Sequence, residues 1–127
     1  MKDRKEATRR RWLEVLQEHR PDWDRAGSGH YWSPRPATAP CHRRVGAELR
    51  RIQNTKLAAV VPFLYENSPF YRRRFDRLGM TPDDIKTVDD LPKWPVVDKR
   101  EMIEDALTHP PYGTYSAHDD ALWKERG

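Results

Sequence analysis

The sequence predicts a mainly α chain built from short helices, with an extended arm near its N-terminus. Three observations carry this. Apolar residues recur at helical spacing in residues 2–18 and 43–66. Ser, Thr or Asp stands ahead of Pro or an acidic residue at several places, which is how helices start. No segment shows the two-residue alternation of a half-buried strand.

The apolar supply is thin. Leu, Ile, Val and Phe number 22 of 127 residues, about 17%, and 35% of the chain is charged. That apolar share lies below the roughly 20% at which chains tend toward disorder, although five Trp and a net charge of only +4 count against disorder. The expected fold is therefore incomplete on its own and completed by a partner chain.

In chain order, an N-terminal helix is expected in residues 1–19, with Trp12, Leu13, Val15 and Leu16 forming its stripe and Pro21 closing it. Residues 20–42 change to Gly, Ser and Pro without apolar periodicity and read as an extended arm. His30, Tyr31 and Trp32 lie in it with no helix to bury them. Rings of this kind give much contact area at little entropic cost, so they are expected to bind a partner.

The next region, 43–116, is expected to be a helical cap region of several short helices and links. Val45, Leu49, Ile52, Ala59, Val60, Phe63 and Leu64 mark a long helix, with Pro62 expected to kink its last turn. Ser68-Pro69 caps a short helix carrying Phe70, Tyr71 and Phe75, and Gly79 ends it. Thr81 with Asp84 and Thr87 with Asp90 cap two further turns. Leu91-Pro92-Lys93-Trp94-Pro95 reads as a rigid extended link. Asp98 and Glu101 form a capping box for a last helix carrying Met102, Ile103, Ala106 and Leu107. Residues 117–127 form a polar tail.

Several functions are excluded or weakened. No apolar run approaches the ~18 residues of a membrane span. No apolar signal segment follows the basic start. The single cysteine, Cys41, cannot build a disulfide framework and fits a reducing cytoplasm. No Gly-rich phosphate loop is present. His30, Cys41 and His42 lack the paired short spacings of zinc sites. Asp83-Asp84 and Asp89-Asp90 read as first-turn carboxylates facing helix dipoles. Arg72-Arg73-Arg74 reads as a solvated face or an inter-subunit salt-bridge surface, because consecutive helical residues point apart. Residues 1–77 carry 18 Lys/Arg against 9 Asp/Glu, whereas residues 78–127 carry 6 against 11. This asymmetry leaves a basic nucleic-acid-binding protein as a weak alternative, and the acidic second half argues against it. No catalytic residue and no metal ligand can be named from the sequence.

One stretch is similar to a known family. Val60-Val61-Pro62-Phe63-Leu64-Tyr65-Glu66-Asn67-Ser68-Pro69-Phe70-Tyr71-Arg72-Arg73-Arg74-Phe75 resembles the N-terminal region of phenylacetate–CoA ligases, which are ATP-dependent, adenylate-forming acyl-CoA ligases. Gly79, Pro82-Asp83-Asp84-Ile85, the Pro95–Met102 segment and Pro111-Tyr112-Gly113 follow in the family's order. The Pro95–Met102 segment departs from the family by carrying Asp98 where Thr is usual.

The resemblance implies a helical cap without the phosphate loop, the adenine-binding strands or the catalytic Lys. It implies a small subunit of a heteromeric ligase, or a shortened fragment of one. The arm favours a genuine subunit. By resemblance the assembled enzyme uses ATP, Mg²⁺ and CoA to activate an aromatic carboxylic acid, with catalysis in a large ligase subunit. The residues expected to bind that partner are Trp12, His30, Tyr31, Trp32, Trp94, Tyr112 and Tyr115. Phe63, Phe70 and Tyr71 are candidates for an acyl-pocket wall, although their spacing suits buried core better. The alternative from another class is a helical regulatory or scaffolding module.

Overall fold

In the computed structural model, the described residues are 2–19 and 47–117, and among them every regular element is helical. Helix α1 spans Lys2–Glu18, α2 Ala47–Asn67, α3 Pro69–Leu78 and α4 Lys99–Thr108. Two 3-10 segments, Pro82–Asp84 and Val88–Lys93, lie between α3 and α4. The expected arm at 20–42, with His30, Tyr31, Trp32 and Cys41, lies outside the described residues, as does the tail beyond Ala117.

Helix α1 packs along α2. Val15 is fully buried there, and its neighbours Leu13 and Leu16 remain exposed. Asn67, at the end of α2, fastens the other end of the pair: its Nδ2 donates to Thr8 Oγ1 at 3.1 Å and to Phe63 O at 3.0 Å. Pro62 lies inside α2, and the helix continues beyond it to Asn67.

The centre of the fold is a small cluster of Val61, Phe75 and Ile85, all essentially inaccessible. Leu57, Val60, Tyr65, Met80 and Trp94 pack around it. The Tyr65 and Phe75 rings meet edge to face with centroids 5.4 Å apart, a geometry the ring quadrupoles favour.

The caps are the locally determined part of this architecture. Ser68 Oγ accepts from the Tyr71 amide, with Pro69 at the first helical position of α3. Gly79 ends α3 in the left-handed region, at φ 64°, where a residue without Cβ is favoured. The Thr81 amide donates to Asp84 Oδ2 at 2.8 Å, and the Thr87 amide to Asp90 Oδ2 at 3.1 Å. Asp98 and Glu101 form the capping box of α4. These carboxylates thus serve as caps. One expectation is corrected: Leu91, Pro92 and Lys93 are not an extended link but the second half of the 3-10 segment started by Thr87. The Asp90 cap, the Lys93 Nζ–Asp90 Oδ1 pair at 2.9 Å and the bond from the Trp94 amide to Leu91 O hold that turn together.

Candidate functional site

The Arg72-Arg73-Arg74 run is distributed among three different tasks within the chain. Arg72 pairs with Asp76 at 3.5 Å and lies over the Tyr65 ring, 4.0 Å from its centroid. Arg73 Nη2 reaches Asp105 Oδ1 at 3.1 Å and Thr114 Oγ1 at 2.6 Å. Arg74 is buried; it donates to Glu101 Oε2 at 2.8 Å and to Pro95 O at 2.9 Å. The expected solvated face holds for Arg72 and Arg73, whose side chains are about half exposed, and is corrected for Arg74, which is buried. The second and third members of the run clamp α4 and the preceding link onto α3, through partners that lie 27 and 32 residues away in sequence.

Asp105 is the second joint. It is buried, and it accepts from the Thr114 amide through Oδ2 and from the Thr114 hydroxyl through Oδ1. Burial by itself raises its pKa. The Thr114 hydrogen bonds and the charges of Arg73 and His109 outweigh that and hold the carboxyl below the usual range. The held segment runs on against the start of α3: Phe70 N–H donates to Thr114 O at 3.1 Å, and Ser68 Oγ to Tyr115 O at 2.8 Å. Ser68 therefore both caps α3 and docks residues 114–115.

The residues singled out from sequence fall into distinct environments. Trp94 is half-buried, with its ring 4.8 Å from that of Phe75 and 5.7 Å from that of Tyr71. Its Nε1 is buried and has no hydrogen-bond partner among the described residues. Trp12 and Tyr115 are half-buried, and Tyr112 is 68% exposed. Phe63 and Phe70 are each only 8% exposed and belong to the core, whereas Tyr71 is half-buried against Phe70 and Trp94. Sequence reading did not single out Arg74 and Asp105 as joints. An Arg run and a capping-box helix were visible, but their pairing was not.

A cleft of about 650 Å³ lies between the first turns of α1 and the 113–117 segment. Lys2, Lys5 and Arg9 line it together with Asp3 and Glu6, so its charges largely offset one another. Among the described residues no group of three or more His, Cys, Asp or Glu could hold a metal ion. None of their helices is long and apolar enough to cross a membrane.

No family model matches the chain. Individual proteins do. The chain is 40% identical over 55 residues to a phenylacetate–coenzyme A ligase of Escherichia coli, a match covering 43% of this chain and 13% of that protein. It is 40% identical over 63 residues to the corresponding ligase of Aromatoleum evansii, covering 50% and 14%, and 33% identical over 69 residues to that of Thermus thermophilus, covering 54% and 15%. Among solved structures, 2-hydroxyisobutyryl-CoA ligase, in complex with 2-HIB-AMP in its postadenylation state, superposes with a TM-score of 0.56 at 31% identity. That match covers 60% of this chain and 16% of that one. The chain is thus similar to the N-terminal helical region of phenylacetate–CoA ligase-like, adenylate-forming acyl-CoA ligases, and it spans only 13 to 16% of the length of these relatives.

Proposed function

We propose that this chain is a structurally completing small subunit of an ATP-dependent acyl-CoA ligase whose catalytic centre resides in a larger polypeptide. The observation that carries this reading is the joint likeness, in sequence and in fold, to a minor segment of much longer ligases. The thin apolar supply and the small Val61–Phe75–Ile85 core support it, because such a core stabilises a free chain only weakly.

In this reading the assembled enzyme activates a carboxylic acid, aromatic in character, as its acyl-adenylate and transfers it to CoA. ATP, Mg²⁺ and CoA bind the large subunit, and this chain supplies no catalytic group. Tyr71 is the best placed of the three candidate wall residues, since Phe63 and Phe70 are already enclosed by the chain's own core.

The test is native mass spectrometry of the full-length chain purified gently from its own cells, followed by recombination of the separated components. The expected result is a complex with a ligase-family polypeptide that forms phenylacetyl-CoA from phenylacetate, ATP and CoA only when both chains are present. A folded chain with no ligase-family partner, or a partner equally active alone, overturns the proposal. Altered rather than abolished activity points to a regulatory module.

A further inference from the structure

The Val61–Phe75–Ile85 cluster and the apolar side chains packed on it all lie between Leu57 and Trp94. Helix α4 adds none of them. The one residue it buries is the charged Asp105, whereas Met102 and Ala106 are half-buried and Ile103 and Leu107 are exposed. Polar joints tie α4 and the strap after it, residues 109–117, to α3. Arg74 donates to Glu101 at 2.8 Å, and Arg73 donates to Asp105 at 3.1 Å and to Thr114 at 2.6 Å. The Phe70 amide donates to Thr114 O at 3.1 Å, and Ser68 Oγ to Tyr115 O at 2.8 Å.

These joints and the core differ in what opening costs. Apolar surface returned to water loses its full burial energy, whereas a broken hydrogen bond is largely replaced by one to water. Residues 95–98, between the packed Trp94 and the first turn of α4, form no regular element, and Val96 there is 88% exposed. On its far side the strap borders the cleft of about 650 Å³, which separates it from the first turns of α1. Once detached, a helix of ten residues is shorter than the ~12–15 that hold a helix in water, so α4 melts when it leaves α3.

We infer that residues 99–117, α4 with its strap, are a hinged flap that opens as one unit about residues 95–98 while α1, α2 and α3 stay folded. Arg73 and Arg74 are its latches. Opening bares the Arg73 guanidinium and the Phe70 amide on the first turns of α3. The flap is independent of the function proposed above.

The test is hydrogen exchange followed by nuclear magnetic resonance on the isotope-labelled full-length chain at pH 7, where exchange reports opening equilibria. Phe70, Asp105 and Thr114 amides report the flap: the first and last bond across the joint, and Asp105 lies in the middle of α4. Val61 and Phe75 amides, inside α2 and α3, report the core. The three flap amides should share one protection factor within about threefold, at least tenfold below that of the core amides. Ile85→Val, which trims the core, should speed exchange at Val61 and Phe75 about two- to tenfold. It should leave the flap amides unchanged, because Ile85 stays packed when the flap is open. Arg73→Gln weakens the closed state itself and should speed both groups.

Flap amides that respond to Ile85→Val as strongly as the core amides overturn the inference, since residues 99–117 then open only with the whole chain. Protection that differs more than threefold among Phe70, Asp105 and Thr114 overturns the single unit. Flap amides unmoved by Arg73→Gln overturn the latch. Unprotected Val61 and Phe75 amides overturn the inference as well, because no folded core then remains for the flap to open from.

Discussion

Asp105 and Thr114 are joined twice: one carboxylate oxygen accepts from the Thr114 amide, and the other from its hydroxyl at 2.7 Å. This pairing bends the chain back after α4 and lays residues 114–115 along the start of α3, where Phe70 and Ser68 bind their carbonyls.

The pairing makes stability sensitive to acid. Asp105 titrates below the ordinary carboxylate range when folded and within it, near ~3.9, when unfolded. The unfolded chain therefore takes up this proton first as the pH falls. The stabilisation is fully present above the ordinary range and is lost as the pH drops through the folded value. Asp90 acts in the same direction, held low by Lys93 and by the amides of Lys86 and Thr87. Thermal melting followed by circular dichroism should show Tm falling below about pH 4, and Asp105→Asn should flatten that acid limb. At neutral pH the same variant should lose about 2 kcal/mol, the scale of hydrogen bonds to a charged acceptor.

The Arg run should be strongly unequal under substitution. Arg74→Ala removes the donors to Glu101 and Pro95 from a buried position and should cost about 2 kcal/mol, the scale of hydrogen bonds to a charged group, since Glu101 itself is 38% exposed. Arg72→Ala removes an exposed i,i+4 pair and should cost less than about 1 kcal/mol. Urea melts of the two variants measure the difference. Equal losses would show that Arg74 does not hold α4 to α3.

Two glycines with positive φ should also separate. At Gly79 (φ 64°) a Cβ meets nothing within 4 Å, so Gly79→Ala carries only the left-handed backbone cost of about 1 kcal/mol. At Gly113 (φ 71°) a Cβ presses onto Asp105 Oδ2 and stands 3.1 Å from the Ala106 nitrogen. Gly113→Ala should therefore destabilise by at least twice as much. It should also weaken the acid sensitivity described above, because the clash falls on the same carboxylate. Denaturant melts at pH 7 and pH 3 measure both effects.

Within the assembled ligase proposed here, Tyr71→Ala should raise KM for the acid more than it lowers kcat, while CoA and ATP dependence stay unchanged. A half-buried ring that shapes a wall contributes to binding rather than to the chemical step. Steady-state kinetics with phenylacetate and with a small aliphatic acid check this. Unchanged KM for both acids would remove Tyr71 from the wall.

The sequence by itself determined the local features. Caps at Ser68, Thr81, Thr87 and Asp98 and the stop at Gly79 depend on residues a few positions apart and are all present in the structure, whereas of the α1 stripe Val15 is buried, Trp12 half-buried, and Leu13 and Leu16 exposed. The likeness to the ligase N-terminus was equally legible, since it rests on ordered segments of the chain itself. Tertiary structure decided which face of α4 turns inward. Helical periodicity marks an apolar stripe, but it carries no information about arginines 27 and 32 residues away that can hold two carboxylates more firmly than a small core can hold Ile103 and Leu107. Tertiary packing likewise brings Phe75 and Tyr71 against the half-buried Trp94 ring, a contact its Pro-flanked segment does not reveal. Local hydrogen bonds are encoded by adjacency, whereas the choice between burying charge pairs and burying aliphatic surface is settled only when distant segments compete for the same space.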